Sequence, residues 1–418
     1  MDLTQRFGVK RLFYMLFGIL PLNGEEVTIM AANISSGNGQ SYDPGEGTRI
    51  FKGLKPDIVL IQEFNFGSNT DAQLRAFVTD AFGAEFSYVE EGKPSGDIQN
   101  GVISRFPILQ SGIWDDDDMS NREFVWAQID VPGEKNLWVI SVHFKASSSG
   151  ASRRVGQARQ LAEYIEVNVP ADDYLVIGGD FNAQNRTESF LNELDHLVKV
   201  TAPWPVDRNG DGDTNAGRSR PYDWVMVEPD LNSLEVPTVL GGRSYANGIV
   251  FDSRVFTPLS AVAPVLAGDS GASQMQHMAV MRTYDFPPEL DDYESWVVER
   301  FSAQEYAQGE SIWGALADPD GDASVNLLEY AFGTDPTVAG SREKFPKVTI
   351  VSGEDVVSFL VREGSALTYE LQVSDDLSDF VELSGEVVSD GPVSDGFKMR
   401  TVTLPISNKK FFRLKVVR

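Results

Sequence analysis

Short apolar runs recur from residue 27 to residue 286, and they constrain the fold more than any other feature of the chain. Examples are Ile58–Ile61, Leu137–Val142 and Tyr174–Ile177. Runs of this length are typical of buried strands. A helical pattern over Gln157–Ile165 lies between two of them. The mixture predicts a layered α+β or α/β domain, whose chemistry is carried by loops at the strand ends.

Charge and composition limit the classes of function. The chain has 418 residues, enough for more than one domain, with 62 acidic and 35 basic residues and a formal net charge of −27. This charge opposes general attraction to nucleic acid or anionic lipid, so a polyanionic substrate needs a local basic patch or bound cations. The absence of cysteine excludes disulfides, thiolate nucleophiles and cysteine-based zinc sites.

The N-terminus has the pattern of a secretory signal peptide. Arg6, Lys10 and Arg11 precede the apolar run Leu12–Leu22, and polar residues follow. The run is too short to span a bilayer comfortably, so no stable membrane insertion is expected. We predict secretion from a bacterial cell, while the missing A-x-A cleavage pattern leaves a buried or interfacial first helix as the alternative.

The sequence pattern changes twice after residue 286. A helix-like segment runs from Trp296 towards Gln308, and alternating strand patterns cover Val348–Val351, Tyr369–Val373 and Phe411–Val416. The predicted organisation is a signal peptide at 1–24, a catalytic domain at 25–286, a helical EF-hand-like linker at 287–340 and a C-terminal β-sandwich at 341–418.

Polar side chains stand at the ends of six strand-like elements. They are Asn33, Glu63, His143, the pair Asp180 and Asn182 after Gly178–Gly179, Asp223, and the pair Gln276 and His277. Taken alone, each is more often a cap, a tight turn or a structural residue. Together they offer what phosphate-ester hydrolysis needs, namely a bound cation, an oriented water and positive charge for the transition state. Oxygen ligands favour Mg²⁺ or Mn²⁺ over zinc.

In this order, the six elements resemble the endonuclease/exonuclease/phosphatase (DNase I-like) superfamily over roughly residues 27–286. The segment Gly178–Asn182 is the most specific part of the resemblance. The resemblance implies a four-layer αββα sandwich with the active site at one end of the packed sheets. It also implies that Glu63, Asn33 and Asp180 bind the metal, and that Asp180 and Asn182 position the attacking water.

The resemblance assigns roles to the histidines as well. His277, oriented by Asp223, would contact the scissile phosphate or take a proton, and His143 would face the phosphate from the other side. One position departs from the family pattern, because Gln276 stands where an Asp usually precedes the last histidine. A neutral amide binds a divalent cation more weakly than a carboxylate does, so Gln276 is a candidate ligand that leaves the number of metals open.

Basic residues near His143 suggest the substrate. Lys145, Arg153 and Arg154 follow it closely and could grip phosphates. Arg105, in a Ser-Arg-Phe-Pro turn that resembles a family shape marker, is a further candidate contact. The stretch that follows His143 and contains Lys145, Arg153 and Arg154 is most similar to secreted bacterial nucleases of the superfamily. The predicted substrate is therefore nucleic acid, with DNA first.

Two alternatives to the nuclease prediction remain open. None of the three functions implies a protein partner. The first is a phosphodiesterase or phosphomonoesterase that acts on lipid or small phosphoesters, because the core motifs are shared. The second, which starts from Gln276 and the acidic composition, is a catalytically weak, calcium-dependent binding module.

Acidic motifs outside the six elements predict Ca²⁺. EF-hand positions 1, 3, 5, 7, 9 and 12 are matched by Asp318, Asp320, Asp322, Ser324, Asn326 and Glu329. We expect a structural Ca²⁺ there. Similar spacing relates Asp207, Asn209, Asp211 and Asp213, but Arg218 stands at the last position, so a weaker Ca²⁺ site and a plain loop both remain open. The run Asp115–Asp118 is predicted to be a solvated loop.

Overall fold

The computed structural model describes residues 24–93, 97–288, 290–341, 344–351, 354–377, 379–383, 386–404 and 411–418. They form two compact units, Leu22–Glu289 and Leu290–Arg418, called here the N-terminal and C-terminal units. The predicted signal peptide lies outside the described residues except for Gly24. Across the described ranges, no helix has both the length and the apolar character needed to cross a membrane.

The N-terminal unit contains strands and helices in alternation. Its strands are β1 Glu25–Ala32, β2 Ile58–Ile61, β3 Ser87–Glu90, β4 Gly101–Ser104, β5 Ile108–Trp114, β6 Phe124–Ile129, β7 Leu137–His143, β8 Tyr174–Asp180, β9 Asp223–Val227, β10 Glu235–Val236, β11 Thr238–Leu240, β12 Arg243–Tyr245, β13 Ile249–Phe251 and β14 Ala279–Phe286. Its α-helices are α1 Glu46–Leu54, α2 Asp71–Ala81, α3 Ala151–Asn168 and α4 Pro229–Ser233.

Two sheets carry the strand ends that the sequence singles out. One has the order β10-β14-β1-β2-β4-β3, with β13 also paired to β14, and the other has the order β5-β6-β7-β8-β9. Strands β1 and β2 run parallel with Ala32 beside Ile61, and β7 and β8 run parallel with His143 beside Asp180. Because parallel strands end at the same edge, each sheet presents two polar side chains together.

The two sheets face each other, and helices cover their outer faces. Side chains of β1, such as Ile29, share a core with side chains of β6, such as Val125. Helices α1 and α2 pack on the outer face of the first sheet, and α3 packs on the outer face of the second. Every residue of β7 and β8 is buried, as expected for strands covered on both faces. The expected four-layer αββα sandwich is therefore confirmed.

The C-terminal unit combines short helices with two β-sheets. Its helices are α5 Asp292–Arg300, α6 Ala303–Tyr306, α7 Glu310–Trp313 and α8 Asn326–Phe332, and its strands are β15 Lys347–Val351, β16 Glu354–Arg362, β17 Thr368–Ser374, β18 Val381–Glu382, β19 Val387–Ser394, β20 Phe397–Thr403 and β21 Phe411–Val417. The sheets β15-β16-β20-β19 and β18-β17-β21 share one core, to which α8 contributes.

The predicted helix from Trp296 towards Gln308 is wrong in one respect, because it is broken. Helix α5 ends at Arg300, and Phe301 is extended with φ −102° and ψ 138°. The hydroxyl of Ser302 and its backbone N–H both donate to the carboxylate of Glu305, which caps a new short helix. Local side-chain capping thus competes with continuation of the apolar period.

Candidate active site

Five buried side chains from both sheets converge at one edge of the sandwich. Asn33 lies at the centre of four of them: its Nδ2 is 3.2 Å from Glu63 Oε1, 3.2 Å from Asp180 Oδ2 and 3.3 Å from His277 Nε2. His143 Nε2 donates to Asp180 Oδ2 at 3.1 Å. None of these five side chains is more than 5% exposed. The structure therefore brings together residues that are up to 244 positions apart in sequence.

Glu63 is held by the loop that follows β1. Its Oε1 accepts a hydrogen bond from Gln40 Nε2 at 2.7 Å, and its Oε2 accepts one from Ser35 Oγ. Glu63 has φ +53°, a left-handed backbone conformation that is costly for residues other than glycine. Sequence reasoning missed Ser35 and Gln40, because nothing in their spacing marks them as partners of a distant carboxylate.

A glycine is required directly before Asp180 for a steric reason. Gly179 has φ +140°, and a Cβ there would lie 2.1 Å from the main-chain oxygen of Val142. Only glycine therefore lets β8 pass this close to β7. The turn that follows fixes Asp180, since the backbone N–H of Asn182 donates to Asp180 Oδ1 at 2.8 Å.

Asn182 is tied to protein atoms on both sides. Its Nδ2 donates to Asp180 Oδ2 at 2.9 Å and to the main-chain oxygen of Phe144 at 3.1 Å. With its amide group used in this way, Asn182 orients Asp180 and joins β8 to the chain after His143. That Asp180 and Asn182 together position the attacking water stays a prediction.

His277 forms a buried pair with Asp223. Its Nδ1 donates to Asp223 Oδ2 at 2.9 Å, which leaves Nε2 facing Asp180 Oδ2 at 3.6 Å. The backbone N–H of Asp223 donates to Thr214 Oγ1 at 2.8 Å, and the ring of Tyr222 lies 5.6 Å from the imidazole ring. The carboxylate thus fixes the ring orientation and directs Nε2 towards the centre of the site.

The electrostatic environment gives the two histidines opposite character. Burial lowers the pKa of His277, but the carboxylates of Asp223 and Asp180 outweigh it and raise that pKa to about 10. Burial and the guanidinium of Arg122 lower the pKa of His143. His277 is therefore cationic at neutral pH, and His143 is neutral.

Asp180 responds to both rings. Burial alone would raise its pKa, but His277, His143 and the hydrogen bond from Asn182 hold the pKa of Asp180 well below its usual range. Burial also raises the pKa of Asp223, although its partner His277 opposes the shift. The site thus contains an ionised carboxylate at its centre and an acid–base pair beside it.

Arg122 is a site residue that sequence reasoning missed. It is 4% exposed, and its guanidinium donates to the main-chain oxygens of His143 and Phe144. Arg122 therefore fixes the end of β7, and its charge acts on His143. An arginine before a strand carries no distinctive spacing, so only the folded structure identifies it.

The acidic run Asp115–Asp118 is not a fully solvated loop as predicted, because Asp116 is buried. Its Oδ2 accepts a hydrogen bond from Gln157 Nε2, and Gln157 Oε1 in turn accepts from the backbone N–H of Lys145. Burial raises the pKa of Asp116 to about 6. Gln157 of α3 therefore holds both the loop after His143 and the acidic run in place.

Two of the predicted substrate-binding arginines lie away from the cluster or are already engaged. Arg105 donates to Asp57 and Glu25, and Glu25 is at the opposite end of β1 from Asn33. Arg154 is fully buried, and its guanidinium is bound by the carboxylate of Glu188 and by two main-chain oxygens. Both guanidinium groups are therefore engaged by protein atoms.

Three further predicted residues are not part of the buried cluster. Lys145 is half-buried just after β7, and Arg153 is exposed on the first turn of α3. Gln276 is exposed although its neighbour His277 is buried, and its main-chain oxygen accepts a hydrogen bond from Ala216. The structure does not bring the Gln276 amide into the buried cluster.

For the loop around Asp207, the sequence left a weak Ca²⁺ site and a plain loop open. In the structure, an arginine side chain binds the carboxylates of this loop. Arg218 Nη2 lies 2.7 Å from Asp207 Oδ2 and 3.2 Å from Asp211 Oδ2, and Arg218 Nε lies 3.7 Å from Asp252 Oδ2. Asp213 pairs with Arg186 at 3.1 Å instead. Because arginine side chains already bind these carboxylates, the geometry favours the plain loop over a Ca²⁺ site.

The predicted Ca²⁺ motif of the C-terminal unit forms a separate group. Asp318, Asp320 and Asp322 each offer an oxygen within 4.8 Å of the others. Glu329 and Ser324 are fully buried. Asn326 is buried too, and its Nδ2 donates to two main-chain oxygens in the preceding segment.

The buried cluster of the N-terminal unit fits a hard divalent cation. Carboxylate oxygens of Asp180 and Asp223 lie within 4.8 Å of each other. Asn33 Oδ1 and Asp223 Oδ1 are buried without a hydrogen-bond partner among the described residues. Oxygens of this kind are the preferred ligands of Mg²⁺ and Mn²⁺, and an orphaned buried oxygen is stabilised by a cation.

Comparison with known proteins identifies relatives of the N-terminal unit. Residues 30–248, just over half of the chain, match the sequence model of the Endonuclease/Exonuclease/phosphatase family. Sphingomyelinase C of Bacillus cereus is 23% identical over 177 residues, which are 38% of this chain and 52% of that protein. Phospholipase C of Staphylococcus aureus is 32% identical over 152 residues, which are 31% of this chain and 46% of that protein.

The chain thus spans about half the length of the curated relatives it matches. Among solved structures, it is similar to an endonuclease/exonuclease/phosphatase from Beutenbergia cavernae, with a TM-score of 0.43 and 15% identity. That alignment covers 94% of this chain and 99% of the other.

Proposed function

The chain belongs to the endonuclease/exonuclease/phosphatase family, and from this premise we propose that it is a divalent-metal-dependent phosphodiesterase. The observation that carries the proposal is the position of the Asp180 carboxylate. It lies between the Nε2 atoms of His143 and His277, and Asn33 connects it to Glu63. This is an ionised carboxylate beside a cationic imidazole, in a buried site with further oxygens for a metal.

The role of each group follows from its charge. The cationic Nε2–H of His277 would donate to a non-bridging phosphate oxygen and stabilise the charge that develops there, while Asp223 holds the ring. The ionised Asp180 can accept a hydrogen bond from the attacking water and orient it. Neutral His143 would face the phosphate from the other side.

Glu63 and Asn33 are the residues that would hold the cation, which we propose to be Mg²⁺ or Mn²⁺. A cation there would polarise a phosphate oxygen and lower the pKa of a bound water. Ser35 and Gln40 both donate to Glu63 and would fix the direction of its carboxylate. Gln276 is exposed, so it adds nothing to a second metal site in this arrangement.

The substrate that we favour is a lipid phosphodiester with a small, zwitterionic head group. The two curated relatives described above are named for lipid hydrolysis. The net charge of −27 repels a polyanion but not a head group without net charge. In addition, Arg105 and Arg154, two of the four predicted substrate contacts, are paired with carboxylates of the protein.

The second candidate substrate is nucleic acid, with DNA first. Secretion of the protein stays a prediction from residues 1–24. Lys145 and Arg153 support a nucleic acid substrate, because Lys145 lies two residues after His143 and Arg153 is exposed on the first turn of α3. A phosphodiester backbone could be gripped there on one side of the cleaved bond.

A parallel substrate test separates these candidates. Purified full-length protein is assayed in Mg²⁺, Mn²⁺ or Ca²⁺ on sphingomyelin vesicles, plasmid DNA and RNA, with the His277→Ala variant beside it. We expect metal-dependent release of phosphocholine that the variant loses. Cleavage of DNA or RNA with intact vesicles would transfer the proposal to a nuclease. A fully active His277→Ala variant, or hydrolysis of none of the substrates, would contradict the proposed site.

A further inference from the structure

The C-terminal unit contains a second, separate group of converging carboxylates just before α8. The backbone N–H of Asp322 donates to Asp318 Oδ1 at 3.1 Å and to Asp320 Oδ1 at 3.0 Å. Gly321 has φ +72°, which turns the chain between them. As a result, three carboxylate groups face one another at the loop centre although like charges repel.

Glu329 provides an independent observation at the same place. It lies on α8, is 0% exposed, and its Oε2 has no hydrogen-bond partner among the described residues. Its Oε1 has only long contacts, 3.4 Å to Ser341 Oγ and 3.5 Å to Thr334 Oγ1. The carboxylates of Asp320 and Asp322 lie close enough to Glu329 for their charges to act on it. A carboxylate buried beside other carboxylates is costly unless a cation joins them.

We propose that the C-terminal unit binds one Ca²⁺ ion through four carboxylates, those of Asp318, Asp320, Asp322 and Glu329. All four supply oxygen, and three lie on one loop, which suits the six to eight oxygen ligands and variable geometry of Ca²⁺ better than the strict octahedron of Mg²⁺. The site is in the other unit from the phosphoesterase cluster, and the inference does not depend on the proposed activity.

The ion would stabilise this unit through α8. Leu328 and Phe332 of this helix pack with the β-sheets, whereas Leu327 and Tyr330 pack with α5. The helix is therefore shared by both cores of the unit, and its Glu329 would join it to the loop through the metal. A metal that binds only the folded form raises stability by mass action.

The test uses the full-length protein in hydrogen–deuterium exchange with EGTA, with Ca²⁺ and with an equal concentration of Mg²⁺. We expect Ca²⁺, but not Mg²⁺, to slow exchange at least tenfold in peptides that cover residues 318–332. Ca²⁺ binding to the catalytic cluster alone would leave these peptides unchanged, so the readout is specific to the unit. Equal protection by both ions, or by neither, would overturn the proposal.

Two variants distinguish ion binding from a simple structural role. In EGTA, Glu329→Gln should unfold at the same temperature as the wild type or higher, because one buried charge is removed. In Ca²⁺ it should lack the stabilisation that the wild type gains, with affinity at least tenfold weaker. The control Glu310→Gln, an exposed acid on α7, should keep the full response. A Glu329→Gln variant with the wild-type Ca²⁺ response would refute the ligand assignment.

Discussion

The Asp223→Asn substitution tests the proposed mechanism most directly. It keeps the shape of the side chain, and the new amide oxygen can still accept from His277 Nδ1, 2.9 Å away in the natural protein. What it removes is the negative charge that, with Asp180, keeps His277 protonated. The expected result is a folded protein whose histidine is less basic and more loosely oriented.

The size of the effect follows from the charge on His277, the proposed donor to the phosphate. A hydrogen bond that involves a charged group contributes about 1.5–3 kcal/mol, so loss of the cationic donor in the transition state corresponds to roughly a 10- to 150-fold lower kcat/KM. The pH profile should change as well. A group with a raised pKa is protonated below that pKa, so His277 stays cationic up to about pH 10 in the natural protein. In Asp223→Asn the alkaline loss of activity should move to lower pH.

The assay is hydrolysis of bis(p-nitrophenyl) phosphate in Mn²⁺, followed from pH 6 to pH 10, roughly the window between the ordinary and the raised histidine pKa. Asp230→Asn is the matched control, because Asp230 is an exposed acid that pairs with Lys135 at 3.0 Å on the protein surface. Circular dichroism checks the fold. A variant within twofold of the natural rate with an unshifted alkaline limb would refute the role of the pair.

Three further changes have distinct expected outcomes. Glu63→Gln should lower kcat/KM more than 100-fold, partly restored by raised Mn²⁺, and a Mn²⁺ titration that matches the natural protein would contradict its assignment as a ligand. Gly179→Ala should lower the free energy of unfolding by about 2–4 kcal/mol in urea, because its Cβ would meet a main-chain oxygen, whereas Gly268→Ala, in open space, should not. Arg154→Met should cost about 3–5 kcal/mol of stability by leaving a buried carboxylate unpaired. Arg153→Met should instead raise KM at unchanged stability, and the reverse pattern would restore Arg154 as a substrate contact.

The sequence predicts those parts of the fold that depend on local pattern. The apolar runs locate β7 and β8 because both faces of these strands are covered, so nearly every position must be apolar. Polar residues directly after such runs, like Asn33 and Glu63, then meet because parallel strands share an edge. The layer order itself came from the resemblance, since periodicity alone does not choose among layered folds.

What the sequence could not predict depends on tertiary burial. Arg122 and Asp116 are charged residues in polar segments, yet both are buried where they support the chain after His143. Their sequence neighbourhood is the same as that of a solvated loop. The structural contacts of Arg154 escaped prediction for the opposite reason, because a basic residue near a catalytic histidine suggests a phosphate contact until its carboxylate partner, Glu188, is known.

The arginine in the Asp207 loop has a consequence for how the protein responds to its surroundings. Arg218 is a cation on a covalent tether, so its local concentration is fixed by the chain and does not follow the ionic composition of the medium. The same loop leads to Thr214, which binds the backbone of Asp223. Changes in calcium concentration should therefore leave the orientation of the His277 imidazole unchanged, even while they alter the stability of the C-terminal unit.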